Sequence, residues 1–69
     1  MSVEEARLIL RFKLDTEKGE KYMRREVASL MDHGFRGAGL RSVLMKKFML
    51  FPSDVKWLFN YLNIDLPDG

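Results

Sequence analysis

The 69-residue chain contains no cysteine and only one histidine, and both shortages exclude kinds of site. Without cysteine there are no disulfides and no thiolate metal ligands, and a single histidine cannot form an imidazole cluster around a metal ion. We therefore expect no metal and no other cofactor. The longest apolar run, Phe48 to Phe51, is far too short to cross a bilayer. We expect a cytoplasmic protein with no signal peptide and no membrane partner.

The sequence also lacks the residue combinations that catalysis requires. It has no nucleophile–base pair and no carboxylates at a useful spacing. Asp15 with Glu17, and Glu4 with Glu5, lie at expected helix starts, where anions stabilise the positive end of the helix dipole. His33 lies at an expected helix end, where capping explains it. We predict that the protein is not an enzyme.

The composition is that of an ordinary globular protein, with 46% apolar and 32% charged residues. A chain of this length forms one small domain, residues 1–69, whose core is marginal, so a homodimer is expected. The net charge is only +2, but four cations and no anion lie between Arg36 and Lys47. Such a basic segment attracts polyanions, although a solvated helix face explains the same residues.

The stretch from Leu8 to Leu14 is the most informative and the most ambiguous. Its even positions are apolar and its odd positions are cationic from Arg7 onward, except for Ile9. This alternation predicts a half-buried strand over residues 7–14 with an outward row of cations that is suited to nucleic acid. Ser2 followed by Glu5 is a capping-box pattern, so a helix starting at Val3 stays open.

Three helices are expected after this stretch, over about residues 16–32, 38–50 and 53–63. Asp15 or Thr16 supplies the first N-cap, and Gly34 closes that helix in a Schellman motif. Pro52 ends the next helix and Ser53 caps the last. We expect residues 66–69 to be a frayed end.

Read as strand, helix, glycine-containing turn and helix, residues 8–50 resemble the ribbon-helix-helix family of dimeric DNA-binding regulators. The resemblance implies that two chains pair their strands into a ribbon that enters the major groove of double-stranded DNA. It implies that Ile9, Arg11 and Lys13 face the base edges. It further implies phosphate contacts from the start of the second helix and from nearby cations, namely Arg7, Arg36, Gly37, Ala38, Gly39 and Arg41. The fold would be mainly α with one short strand, and the function would be transcription regulation.

Two other interpretations follow from the residues. An all-α domain of four helices would instead make the last helix a protein-binding surface, through Trp57, Phe59 and Tyr61. Such a protein would be a small adaptor or inhibitor. A helix-turn-helix formed by the last two helices is less attractive, because its second helix starts with Asp54 and carries only Lys56 as a cation.

Overall fold

The computed structural model describes residues 2–65, which form four α-helices and, over those residues, no strand. The helices are α1 (Val3–Phe12), α2 (Glu17–Asp32), α3 (Gly37–Phe48) and α4 (Pro52–Leu62). The predicted strand over residues 7–14 is therefore wrong, and the all-α alternative of four helices is correct. The frayed end expected at residues 66–69 lies outside the described residues.

Helix α1 forms because its N-terminus is capped and because a helix can bury Leu8 against the core while its other side stays in solvent. The Ser2 hydroxyl accepts from the Glu5 amide at 3.2 Å, and the Glu5 carboxylate accepts from the Ser2 amide at 3.4 Å. Leu8 is fully buried, whereas Leu10 is 80% exposed, since residues two apart in a helix point about 200° apart. The same rotation separates Ile9, Arg11 and Lys13, so the ribbon surface predicted from them does not exist.

Helix α2 is the element that the sequence predicted best. The Thr16 hydroxyl accepts from the Gly19 amide at 3.1 Å, as expected for an N-cap. At the other end, the Gly34 amide donates to the Met31 carbonyl and the Phe35 amide to the Leu30 carbonyl. Gly34 has φ of +96°, so the predicted Schellman motif is confirmed.

The connection between α3 and α4 begins earlier than predicted and is one residue longer. Helix α3 ends at Phe48, and Met49 follows in the left-handed conformation with φ of +56°. Phe51 is the N-cap of α4 and Pro52 is its first residue, so the prediction of Ser53 as the cap is wrong. The cap hydrogen bond runs from the Phe51 amide to the Asp54 carboxylate at 2.7 Å.

Helix α4 lies at the centre of the hydrophobic core. Both α1 and α3 pack against it. It contributes Val55, Leu58, Phe59 and Leu62 to a cluster of eleven buried apolar residues. The other seven members come from the remaining helices and from two connections: Leu8, Leu14, Met23, Val27, Leu40, Leu44 and Leu50. The short, apolar helix α4 is therefore the central helix of the core.

The loop between α1 and α2 is held closely against Gly19. A Cβ atom at Gly19 would lie 2.1 Å from the Lys13 carbonyl oxygen and 2.3 Å from that of Phe12. The structure shows that no larger residue fits there, because the backbone of the α1 end passes directly over it.

Candidate functional site

The carboxylate at the start of α4 is not on the surface. Asp54 is fully buried. Its Oδ2 atom lies 2.5 Å from Nη2 of Arg7 and accepts the Phe51 amide hydrogen bond. The guanidinium carbon of Arg7 also lies 4.9 Å from the centroid of the Phe51 ring. The anion that argued against α4 as a DNA-contacting helix is thus neutralised inside the fold.

One acceptor and one donor of this ion pair have no hydrogen-bond partner within the described residues. They are Oδ1 of Asp54 and Nε of Arg7, and both are buried. The pair is therefore joined by one hydrogen bond, from Nη2 of Arg7 to Oδ2 of Asp54, and is not bidentate. The contact belongs to the architecture of the fold, so neither group is free to bind a ligand.

One side of α4 presents polar residues to solvent and carries no carboxylate. Its members are three or four residues apart and all are exposed: Ser53, Lys56, Asn60 and Asn63. We call this surface the α4 outer face. Hydroxyl, ammonium and amide groups are the donors and acceptors that read base edges in the major groove.

A groove of about 380 Å³ runs beside the α4 outer face. Its floor is apolar, formed by Val55, Phe59 and Ile64 among others, and Arg41 of α3 lines it together with Lys56 and Asn60. Arg41, Lys46 and Lys56 form no ion pair within 4.0 Å inside residues 2–65. Their charge is therefore available to a polyanion. Asp65 is the one carboxylate of the groove lining.

The start of α3 was predicted to contact phosphate through its backbone amides. Its N-cap, Arg36, makes no side-chain cap hydrogen bond, so the first amides of the helix have no such partner. Gly37 has φ of +47°, which favours glycine. The Arg36 guanidinium itself donates to the Met31 and Phe35 carbonyls, at 2.8 and 3.0 Å, and so closes the end of α2.

The other residues predicted to contact DNA are dispersed. Arg7 is held by Asp54, and Ile9 is half-buried on α1. Arg11 donates to the carbonyls of Phe48 and Met49, where it closes the end of α3. Lys13 is the C-cap residue of α1 in the left-handed conformation, with φ of +53°. The structure does not gather these four side chains into one surface.

The aromatic residues predicted as a protein interface are largely used within the domain. Trp57 and Tyr61 stack with ring centroids 4.9 Å apart, and the Tyr61 hydroxyl donates to the Leu14 carbonyl. Phe59 is only 6% exposed, whereas Trp57 is half-buried and Tyr61 is 39% exposed. Only part of this predicted interface is therefore accessible.

More exposed apolar residues, which were not predicted from the sequence, lie on α1 and in the α3–α4 connection. Val3 and Leu10 on α1 are 79% and 80% exposed. Met49 and Phe51 in the α3–α4 connection are 79% and 62% exposed. We call these four residues the α1 patch, since Arg7 contacts Phe51 and Arg11 binds the Met49 carbonyl. The signal was present in Leu10, which must face away from Leu8 once the segment is a helix.

Residues 2–65 form neither a metal-ion site nor a membrane-spanning helix. No three histidine, cysteine, aspartate or glutamate side chains there are grouped closely enough to hold a metal ion. No helix in that part of the chain has the length and hydropathy needed to cross a membrane.

No known protein family, curated protein or solved structure matches this chain.

Proposed function

We propose that the protein binds double-stranded DNA through α3 and α4, with the α4 outer face directed at the base edges. The observation that carries this proposal is the burial of Asp54 against Arg7, because it leaves the exposed side of α4 without a carboxylate. From Arg36 to Asn63 the chain holds five cations and this single anion.

The geometry of the two helices supports the proposal. Helices α3 and α4 pack together and are joined by only Met49, Leu50 and Phe51. Leu50 is 6% exposed and anchors the connection in the core. A helix-turn-helix joins its helices by a turn of three or four residues, and its second helix lies in the major groove. Helix α4 fits that second position because it starts at the turn.

The chemistry of the α4 outer face suits direct contact with bases. Asparagine pairs with adenine through two hydrogen bonds, and lysine hydrogen-bonds guanine. Serine can hydrogen-bond either base. Asn60 and Lys56 are the residues to which we assign those contacts. Arg41, Lys46 and the first amides of α3 are assigned to phosphates, which position a protein on DNA without specifying sequence.

The first test is binding to a randomised duplex at low salt, by fluorescence anisotropy. Binding should weaken steeply as salt rises, because each phosphate contact releases counterions. The Arg41→Gln variant should lower the slope of log affinity against log salt by about 1. Lys18→Gln is the matched control, because Lys18 is an exposed cation on α2.

The second test concerns sequence preference. Selection from the randomised pool should yield a preferred site, and Lys56→Gln or Asn60→Ala should each cost about 1–3 kcal/mol at that site. The same variants should bind random duplex nearly as well as the wild type does. No binding at 25 mM salt, or equal losses in Lys18→Gln and Arg41→Gln, would refute the proposal.

A further inference from the structure

We propose that the groove beside the α4 outer face binds a small carboxylic acid with an apolar body, and that Arg41 and Lys56 hold its carboxylate. We call this groove the α4 groove. Arg41 belongs to α3 and Lys56 to α4, so the two cations reach the groove from different helices. The inference concerns the free protein and does not rest on DNA binding.

The α4 groove has the size and the lining of a small-molecule site. Its volume of about 380 Å³ lies within the range of about 300–1,000 Å³ that is typical of ligand pockets. Such pockets combine an apolar lining with a few polar groups that fix the orientation of the ligand. In the α4 groove, Val55, Phe59 and Ile64 form the apolar floor and Pro52 adds to it.

The polar rim of the α4 groove favours a small occupant over a protein. Val55 and Phe59 are only 1% and 6% exposed, so a partner reaches them only from within the groove. Lys56, Asn60 and Asp65 surround them and are all exposed. A stable protein interface covers about 800 Å² on each partner around an apolar centre. A floor of this kind suits a ligand that fits inside the groove.

Charge complementarity determines the polar group of the ligand. Arg41 and Lys56 form no ion pair within 4.0 Å inside residues 2–65. Asp65 is the one carboxylate of the lining, so two cations against one anion leave the groove with a net charge of +1. A ligand that covers the floor also removes water from both cations, and an anionic group compensates that loss of solvation.

A carboxylate suits the donors of the α4 groove better than other groups do. The guanidinium of Arg41 can bind a carboxylate through two hydrogen bonds, and the amide of Asn60 can donate another. A neutral or cationic ligand would leave Arg41 and Lys56 without a partner. Inorganic phosphate matches the two cations but has no apolar part to cover the floor.

A nuclear magnetic resonance titration of the whole chain with phenylacetate tests the inference. We expect saturable shifts of the backbone amides at Phe59, Asn60 and Ile64, with a Kd on the order of 1 mM for so small a ligand. Phenylacetamide has the same shape without the charge, so it should bind about tenfold more weakly. Inorganic phosphate at equal ionic strength should not reproduce the shifts at Phe59 and Ile64.

Substitutions of exposed residues locate the site without disturbing the core. Arg41→Gln and Lys56→Gln should each weaken phenylacetate binding about fivefold. Lys18→Gln is the matched control, because it removes an exposed cation from α2 and should bind as the wild type does. Asp65→Asn should strengthen binding and Asn60→Asp should weaken it, because these changes of equal size remove and add a carboxylate in the lining.

The inference and the proposed function can fail separately. Phenylacetate binding without duplex binding would refute the proposed function and support this inference. Duplex binding without phenylacetate binding would do the reverse. Where both bind, phenylacetate should displace the duplex, because Arg41 and Lys56 are assigned to both. Simultaneous binding would overturn the assignment of these two cations to the carboxylate.

Three further results would overturn the inference. The first is a set of shifts that stays linear with phenylacetate concentration and never saturates. The second is equal affinity for phenylacetate and phenylacetamide. The third is an equal loss of affinity in Arg41→Gln and Lys18→Gln, which would indicate a response to net charge alone.

Discussion

Arg7 and Asp54 are 47 residues apart in the chain, yet their side chains form the ion pair that ties α1 to the start of α4. Asp54 is fully buried, whereas the Arg7 side chain retains 31% of its exposure. The carboxylate also accepts the Phe51 amide, so one group caps α4 and anchors α1. This contact determines what α4 presents to solvent.

Removing Arg7 should cost more stability than removing the charge of Asp54. Arg7→Met leaves a buried carboxylate without its cation and should lower the free energy of unfolding by about 2–4 kcal/mol, less than for a wholly buried pair. Asp54→Asn keeps an acceptor for the Phe51 amide and should cost about 1–2 kcal/mol. Urea denaturation of both variants and of the double variant gives the coupling energy. Strict additivity would show that the ion pair contributes nothing.

Gly19→Ala and Gly39→Ala should change stability in opposite directions. Alanine is the better helix former at both positions, by about 1 kcal/mol. At Gly19 its Cβ would lie 2.1 Å from a backbone oxygen, so we expect a loss of more than about 2 kcal/mol. At Gly39 no atom lies within 4 Å, so we expect a gain of about 0.5–1 kcal/mol. Thermal unfolding measures both, and a stabilised Gly19→Ala variant would contradict the close approach of α1.

Tyr61→Phe should destabilise the domain by about 1 kcal/mol. The substitution removes the hydrogen bond to the Leu14 carbonyl and leaves that acceptor without its partner, while the ring still stacks on Trp57. Tyr22→Phe is the comparison, because the Tyr22 hydroxyl bonds Glu26 on a side chain that is 49% exposed, so its removal leaves no buried acceptor unpaired. Chemical denaturation distinguishes them, and equal effects would mean that the Tyr61 hydroxyl adds nothing beyond a surface hydrogen bond.

The pKa of Tyr22 should depend on Glu26. A hydrogen bond to the Glu26 carboxylate raises the pKa of Tyr22 above its usual 10.0, with smaller contributions from desolvation and from the same negative charge. Because the folded-state pKa is raised, the resulting stabilisation is complete below pH 10 and is lost as pH rises past the shifted value. Absorbance titration of the Tyr61→Phe variant isolates Tyr22. Adding Glu26→Gln should bring its pKa back down, and an unchanged titration would contradict this assignment.

Local signals in the sequence predicted the last three helices well and failed at the first. Caps at Thr16 and Gly34 act within a few residues, so they can be read directly from the chain. The alternation from Leu8 to Leu14 was misleading because Leu10 is apolar yet 80% exposed, so the apolar even positions do not share one buried face. The capping box at Ser2 was the correct signal. The segment is helical because α1 then buries Leu8 in the core, where it packs against α4.

The candidate sites depended on contacts that are distant in sequence. Asp54 looked like a surface anion until α1 brought Arg7 to it, and this reversed the argument about the charge of α4. Arg11 and Arg36 looked like free cations, yet each binds carbonyls at the end of a neighbouring helix. Side-chain type predicts chemistry, but whether a charge is available depends on tertiary packing.

The central position of α4 also affects how these helices are made. The ribosome releases α1, α2 and α3 before the helix on which α1 and α3 pack, so before residues 52–62 emerge α1 can pack only on α2. The complete core therefore forms only after α4 has been made. Until then the nascent chain exposes the apolar residues that chaperones bind, and a truncation before α4 would leave a substrate for proteases.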